Sequence, residues 1–156
     1  MIRQMQNNDQ KEIERVCEIW LNESYRVHSF VADDYRKFWF ERQNAFEKEI
    51  KEADGYVYEE DGVIKGFMSM KNTYIRELYV DLQWQRSGIG TALLDLAKCC
   101  CTSLYLHVYV RNVESINWYL RRGFVITNTH EPKPQNLKQI KYVMVWKKKS
   151  EPASSL

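Results

Sequence analysis

The sequence predicts a mixed α/β domain, a twisted and mostly antiparallel sheet of about seven strands with helices packed against it. Three observations carry that expectation. Seven short runs show the period of two that a strand imposes on its side chains. Between them lie runs with apolar residues at i, i+3, i+4 and i+7, the buried stripe of a helix. Finally, Asp61-Gly62 stands between two of the strand runs, and its tolerance of positive φ suits a tight hairpin turn. With 44% hydrophobic residues in a chain of 156, the composition can close one core. A single domain over residues 1–149 is expected, followed by a flexible tail over 150–156.

The elements follow in order. Residues 2–5 alternate as a short strand. Asp9 then takes the place of an N-cap, and Glu12 three residues later completes the form of a capping box. Ile13, Val16, Cys17, Trp20 and Leu21 make one helical stripe. A loop containing His28 leads to a second helix expected from about residue 34 to 52, with Tyr35, Phe38, Trp39, Phe46 and Ile50 on its buried face and Phe40 outside it. Two antiparallel strands flank the Asp61-Gly62 turn. In the next strand, over 73–81, Ile75 is out of phase with Leu78 and Val80. That slip demands either a change of buried face or a β-bulge near Glu77 to Tyr79. After a glycine turn come a helix over 89–100, a strand over 103–110 and a helix over 113–122 ended by Gly123. The last two strands are expected over 124–129 and 141–146, joined by a loop over 131–136.

Composition also excludes. A net charge of +2 without a broad basic stripe gives no expectation of nucleic acid, and Lys147, Lys148 and Lys149 read as a solvated strand end. No apolar run reaches the length of about eighteen residues that a membrane span needs, and the opening residues do not have the pattern of a secretion signal. A cytoplasmic location is expected, with no membrane association. Cys17 and the consecutive Cys99, Cys100 and Cys101 match neither a zinc site nor a disulfide framework. They are expected as free thiols, those at the helix end small and buried with one exposed, and no metal is expected.

The run "QWQRSGIGTALL", residues 83–94, places two glycines at the start of a helix. A dinucleotide fingerprint would need a third glycine where Leu93 stands, and a P-loop would need Gly-Lys-Ser/Thr where the chain has Gly90-Thr91-Ala92. What remains is glycine backbone before a helix N-terminus, which can hold an anionic phosphate. Together, Gln85, Arg86, Ser87, Gly88, Ile89 and Gly90 resemble the acyl-CoA-binding signature of the GNAT superfamily of N-acyltransferases. Asn112, Tyr119, Gly123 and Phe124 resemble the second signature of the same family.

The resemblance implies a sheet whose central strands splay into a cleft lined by Leu78, Tyr79 and Val80, with acetyl-CoA as acyl donor. Its pyrophosphate would lie on the N–H groups from Gln85 to Thr91, its pantetheine beside Val80 and Asn112, and the Val80 N–H would polarise the thioester carbonyl. Tyr119 would protonate the departing thiolate. The base that frees the amine is Glu77 or His107, with His28 as a third candidate on the acceptor side. His28, Phe38 and Trp39 would roof the acceptor pocket. The implied reaction is direct transfer of acetyl to a primary amine. The acceptor is left open between a small molecule and a macromolecule, either a protein lysine or N-terminus or an aminoacyl-tRNA. A non-catalytic acyl-CoA sensor is the rival from another class, and a homodimer is left open.

Overall fold

In the computed structural model of the protein, residues 1–133 and 138–150 are described, those from 31 to 35 by their backbone alone. The expected tail lies almost wholly outside them, as does part of the loop after residue 130 and the side chain of Tyr35. Strands β1 (Ile2–Gln4), β2 (Asp54–Glu60), β3 (Val63–Lys71), β4 (Tyr74–Val80), β5 (Ser103–Tyr109), β6 (Val125–His130) and β7 (Lys141–Lys147) form one sheet in the order β1-β2-β3-β4-β5-β7-β6. The hairpin between β2 and β3 turns at Asp61 and Gly62, both at positive φ. Every neighbouring pair is antiparallel except β4 and β5, which are parallel. These two meet only at Tyr74 and Tyr105, beside a bond of 3.0 Å from the Tyr105 N–H to the Thr73 carbonyl. Beyond that point they part, and a cleft opens toward Val80.

Helices cover both faces. Helices α1 (Gln10–Val27), α2 (Ala32–Glu41) and α3 (Gln43–Glu52) lie on one, where Ile13, Val16, Trp20, Phe46 and Ile50 pack with Val57 and Phe67. Helices α4 (Ile89–Cys100) and α5 (Val113–Leu120) lie on the other, where Leu93, Leu94 and Ile116 pack with Met68, Leu104 and Met144. Phe67 and Met68 are successive residues of β3 in opposite cores, as the pleat requires. Each fully buried side chain of this kind contributes about 1.5–3 kcal/mol.

The phase slip in β4 is resolved by a bulge. Glu77 pairs with Ser69 and Ile75 with Met70, so Arg76 is one residue too many on its strand. Ile75, Leu78 and Val80 therefore all join the α4 core, while Glu77 and Tyr79 turn to the α1 side. The bulge falls just before Glu77, at the edge of the expected stretch.

Three expectations need correction. The long second helix is two, α2 and α3, broken at Arg42, whose N–H bonds the Trp39 carbonyl at 3.2 Å. No glycine or proline marks the break; it lets Arg42 lie 4.8 Å over the Phe38 ring while Phe46 stacks on Trp20 at 4.0 Å. The capping box is half made. Asp9 accepts from the N–H groups of Lys11 and Glu12, but the Glu12 carboxylate bonds Arg3 at 2.8 Å and Asp9 N–H goes to the Gln6 carbonyl. The cysteines of α4 are less buried than expected: Cys99 and Cys100 are exposed and Cys101 is half-buried, because the last turn shows them to solvent once Ala97 has met the core. Burial pushes the Cys17 thiol up to about 11, away from any thiolate chemistry. Phe40 is exposed, as expected, and so are Lys147 to Lys149.

Candidate active site

The splay of β4 from β5 leaves backbone groups without a strand to pair with. Asp81 N–H bonds the Lys65 carbonyl at 2.9 Å, and Tyr79 pairs with Phe67 two residues before it. In an antiparallel ladder alternate residues face the partner strand, so Leu78 and Val80 turn their amide groups away from β3 and toward the cleft. The cleft encloses about 450 Å³. Leu78, Tyr79, Val80, Gln85, Arg86, Gly88, Ile89, Gly90, Thr91 and Tyr119 line it, whereas Ser87 and Asn112 do not.

Its floor is the start of α4. The first bond of that helix runs from Ala92 N–H to the Gly88 carbonyl at 2.9 Å, so the N–H groups of Ile89, Gly90 and Thr91 have no partner within the helix. Arg86 at φ 63° and Gly88 at φ 90° put two left-handed residues into the preceding loop, a winding suited to anions. The two glycines serve differently. A Cβ on Gly88 would meet nothing within 4 Å, so the need there is conformational; on Gly90 it would lie 3.2 Å from the Trp118 ring. Ser87 Oγ bonds the Trp84 carbonyl and steadies the turn from outside the cleft.

Side chains hold the loop in place. Gln85 Nε2 donates to the Val80 carbonyl at 2.9 Å and to buried Glu23 at 2.7 Å, tying the loop to β4 and α1 at once. Arg122 lies 3.7 Å over Trp118 and donates to Thr91 Oγ1 at 3.0 Å. With Arg26, Arg86 and Arg121 it makes the cleft cationic. Arg26, Arg121, Arg122 and Glu23 were not singled out from the sequence; α1 and the end of α5 carry them to the cleft from far apart in the chain.

Asn112 is buried and opens α5, its Oδ1 accepting from Ser115 N–H at 3.2 Å. That cap aims the helix so that Tyr119 reaches the cleft wall. Burial raises the Tyr119 phenol above its ordinary value, so it keeps its proton at every working pH.

A second pocket, also about 450 Å³, opens on the other side of β4. Here the structure brings together His28, Phe38, Trp39, Glu77 and His107 from three separate elements and a loop. Among the described residues, Tyr79 alone lines both cavities. Glu77 stands beside it, its carboxyl pushed up to about 8, mainly by burial and also by Glu49. Lys141 on β7 was not expected here; burial lowers its pKa, and its ammonium lies 4.6 Å over the Tyr109 ring. His107 is exposed at its edge, 4.8 Å from the His130 ring; desolvation of its covered side, with His130 and Lys141 nearby, lowers its pKa. His28 is buried, and its Nδ1 bonds the Ser24 carbonyl at 2.8 Å. Burial drops it to about 4, and its ring lies among Phe30, Trp39 and Tyr109. It is a neutral part of the wall. Among the described residues no group of three or more His, Cys, Asp or Glu could hold a metal, and no helix is long and apolar enough to cross a membrane.

Comparison with known proteins agrees with this geometry. The family model of the acetyltransferase (GNAT) domain matches residues 51–126, from the end of α3 to β6. The peptidyl-lysine N-acetyltransferase YiaC of Escherichia coli is 31% identical over 130 residues, covering 82% of this chain and 85% of that protein. The solution structure of apo YjaB from Escherichia coli superposes with a TM-score of 0.80 at 22% identity, over 94% of this chain and 96% of that one. PaiA N-acetyltransferase from Thermoplasma acidophilum, solved in complex with coenzyme A, gives a TM-score of 0.72 at 18% identity over 94% of this chain and 98% of its own. With its cleft, its glycine loop before a helix and these relatives, the chain belongs to the GNAT family and is an acyl-CoA-dependent N-acetyltransferase that takes acetyl from acetyl-CoA.

Proposed function

We propose that the acceptor is a lysine side chain of a protein or peptide, acetylated by direct attack on the thioester in a ternary complex. The names of the relatives support that acceptor class, YiaC and YjaB both being peptidyl-lysine N-acetyltransferases. The observation that carries the reading is the wall of a single tyrosine between two cavities, with a carboxyl of raised pKa on the far side of it. Acetyl-CoA fills the cleft. The N–H groups from Arg86 to Thr91 hold the pyrophosphate, that of Gln85 being bonded to the Leu82 carbonyl, with Arg86 and Arg122 beside it, and the pantetheine runs along Leu78 and Val80 like an added strand.

The lysine enters the second pocket from the opposite side, its stem against Phe38, Trp39 and the neutral His28. An alkylammonium has a pKa of about 10.4, so almost none of it is nucleophilic at neutral pH. Glu77, poised near 8, is a far better match to that proton than an ordinary carboxylate, and it is the base in this reading; His107, exposed and with a lowered pKa, is not. The Val80 N–H polarises the thioester carbonyl as the amine attacks. Tyr119, still protonated, gives its proton to the leaving thiolate, and Asn112 acts by setting the start of its helix. No cysteine takes part. The setting is the cytoplasm, where exposed thiols such as Cys99 and Cys100 stay reduced. Neither a second copy of the chain nor nucleic acid is needed.

The test is acetyl transfer from acetyl-CoA to peptides with one lysine and a blocked N-terminus, followed by thiol release and by mass spectrometry. A mass gain on the lysine Nε atom is expected. Turnover with small amines and none with any lysine peptide would overturn the acceptor class while leaving the enzyme class intact.

A further inference from the structure

The aromatic pocket does not end at its own rim. Tyr74 and Arg76 line it and also line a shallow third cavity of about 510 Å³, with Lys71, Asn72, Thr73 and Tyr105. Tyr74 and Tyr105, the one residue pair that joins β4 to β5, stack at 4.9 Å and 14°. Tyr105 is partly exposed, so the stacked rings give this cavity a flat apolar floor.

The walls are cationic. Arg76, the extra residue of the bulge, lies between the two cavities and meets Glu49 at 3.3 Å from outside the strand. Lys71 is exposed at the end of β3 and makes no ion pair among the described residues. Arg42 and Lys141 stand on the pocket side of Arg76, and the acidic groups facing it are Glu49 and Glu77. With its carboxyl near 8, Glu77 carries little of the charge needed to balance them at neutral pH.

We propose that this third cavity is a specificity subsite that takes an acidic side chain flanking the acceptor lysine. The inference rests on the peptidyl-lysine reading above. An extended peptide advances about 3.3–3.6 Å per residue, so with its lysine in the aromatic pocket it carries a neighbour within about three positions across Tyr74. Backbone and stem lie on the tyrosine floor, and the carboxylate meets the uncommitted Lys71 and the outer face of Arg76. The pair with Lys71 is solvent-exposed, so each is worth only a few tenths to one kcal/mol, a preference of roughly two- to fivefold. Salt weakens it.

The experiment compares peptides identical except at the positions flanking a single central lysine, which are Glu, Gln or Arg, by kcat/KM at low salt. Wild-type enzyme is expected to prefer Glu over Gln and Gln over Arg, with the order compressed at high salt. Lys71→Glu, a change at the exposed end of β3, is expected to reverse the order while leaving the Gln peptide unaffected. Equal rates for all the peptides, or an order that Lys71→Glu does not disturb, would overturn the subsite alone. Failure of every peptide while small amines are acetylated would overturn the acceptor class and the subsite with it.

Discussion

The two cavities that meet at Tyr79 are of equal size and built on opposite plans. The donor cleft comes largely from one continuous stretch, the end of β4, the loop after it and the first turn of α4, and what it offers is mainly backbone N–H. The acceptor pocket draws side chains from α1, α2, α3, β4, β5 and β7 and from the loop holding His28. A ligand common to a whole family can be held by main chain, which tolerates change in most side chains; a ligand that differs between relatives must be chosen by side chains, and these are free to change. Chemistry is shared between the two plans, and mutations should separate them.

Removing the base proposed above is expected to have the largest effect. Glu77→Gln keeps the shape of the pocket, so acetyl-CoA affinity should hold while kcat falls by roughly 10²- to 10⁴-fold. In the wild type, kcat/KM should climb with pH and level off above about 8 as Glu77 loses its proton. A Glu77→Gln variant with undiminished kcat would end the assignment. Next comes Tyr119→Phe, which deletes one hydroxyl from the donor side. CoA thiolate leaves tolerably without help, so the loss should lie near 10²-fold, again in kcat and not in affinity; a lower melting temperature with an unchanged rate would make Tyr119 a packing residue only.

A third change attacks the backbone plan directly. Gly88→Ala must adopt φ near 90° at a cost of about 1–2 kcal/mol, with no clash to add to it. Wild-type protein should gain about 2.7 kcal/mol of stability from acetyl-CoA at a hundredfold excess over Kd. The variant should melt lower without ligand and gain less from it, as read by thermal denaturation with and without acetyl-CoA. Equal gains would mean that the loop conformation does not matter to the phosphate.

A smaller effect concerns stability alone. A carboxyl raised from 4.5 to about 8 on folding favours the protonated form, so its contribution is present below pH 4.5 and lost progressively up to about pH 8. Glu77→Gln should therefore stabilise the ligand-free protein, and by more at pH 8 than at pH 5; denaturation midpoints at both values would reveal the opposite trend if it exists. His107→Ala is expected to do least, with a pH profile of kcat/KM matching the wild type.

The difference between the two plans also decides what could be read in the sequence. Gln85 to Thr91 are contiguous, so the loop and its helix could be recognised directly, and the period-2 slip at Ile75 announced the bulge because strand phase is a local property. The break at Arg42 left no such mark, since its cause is the packing of Phe46 on Trp20, a residue of another helix. Lys141, Glu49, Arg26, Arg121 and Arg122 escaped for the same reason: each is an ordinary surface charge until the chain folds it over a cavity. Asn112 was expected beside the pantetheine, but it lies off the cleft and the bond it makes is a helix cap.

The single residue pair between β4 and β5 has a further consequence for how the molecule breathes. Four strands lie on one side of that joint and three on the other, held together on the α4 face by a shared core that includes Met68, Leu104 and Met144. Amide hydrogens along the open ends of β4 and β5 should exchange through small opening motions, well before the global unfolding that governs the middle of β3. A cosubstrate pairing with β4 would close that seam, slowing exchange at Leu78 and Val80 far more than at Phe67, so that the enzyme would behave as one cooperative unit only when loaded.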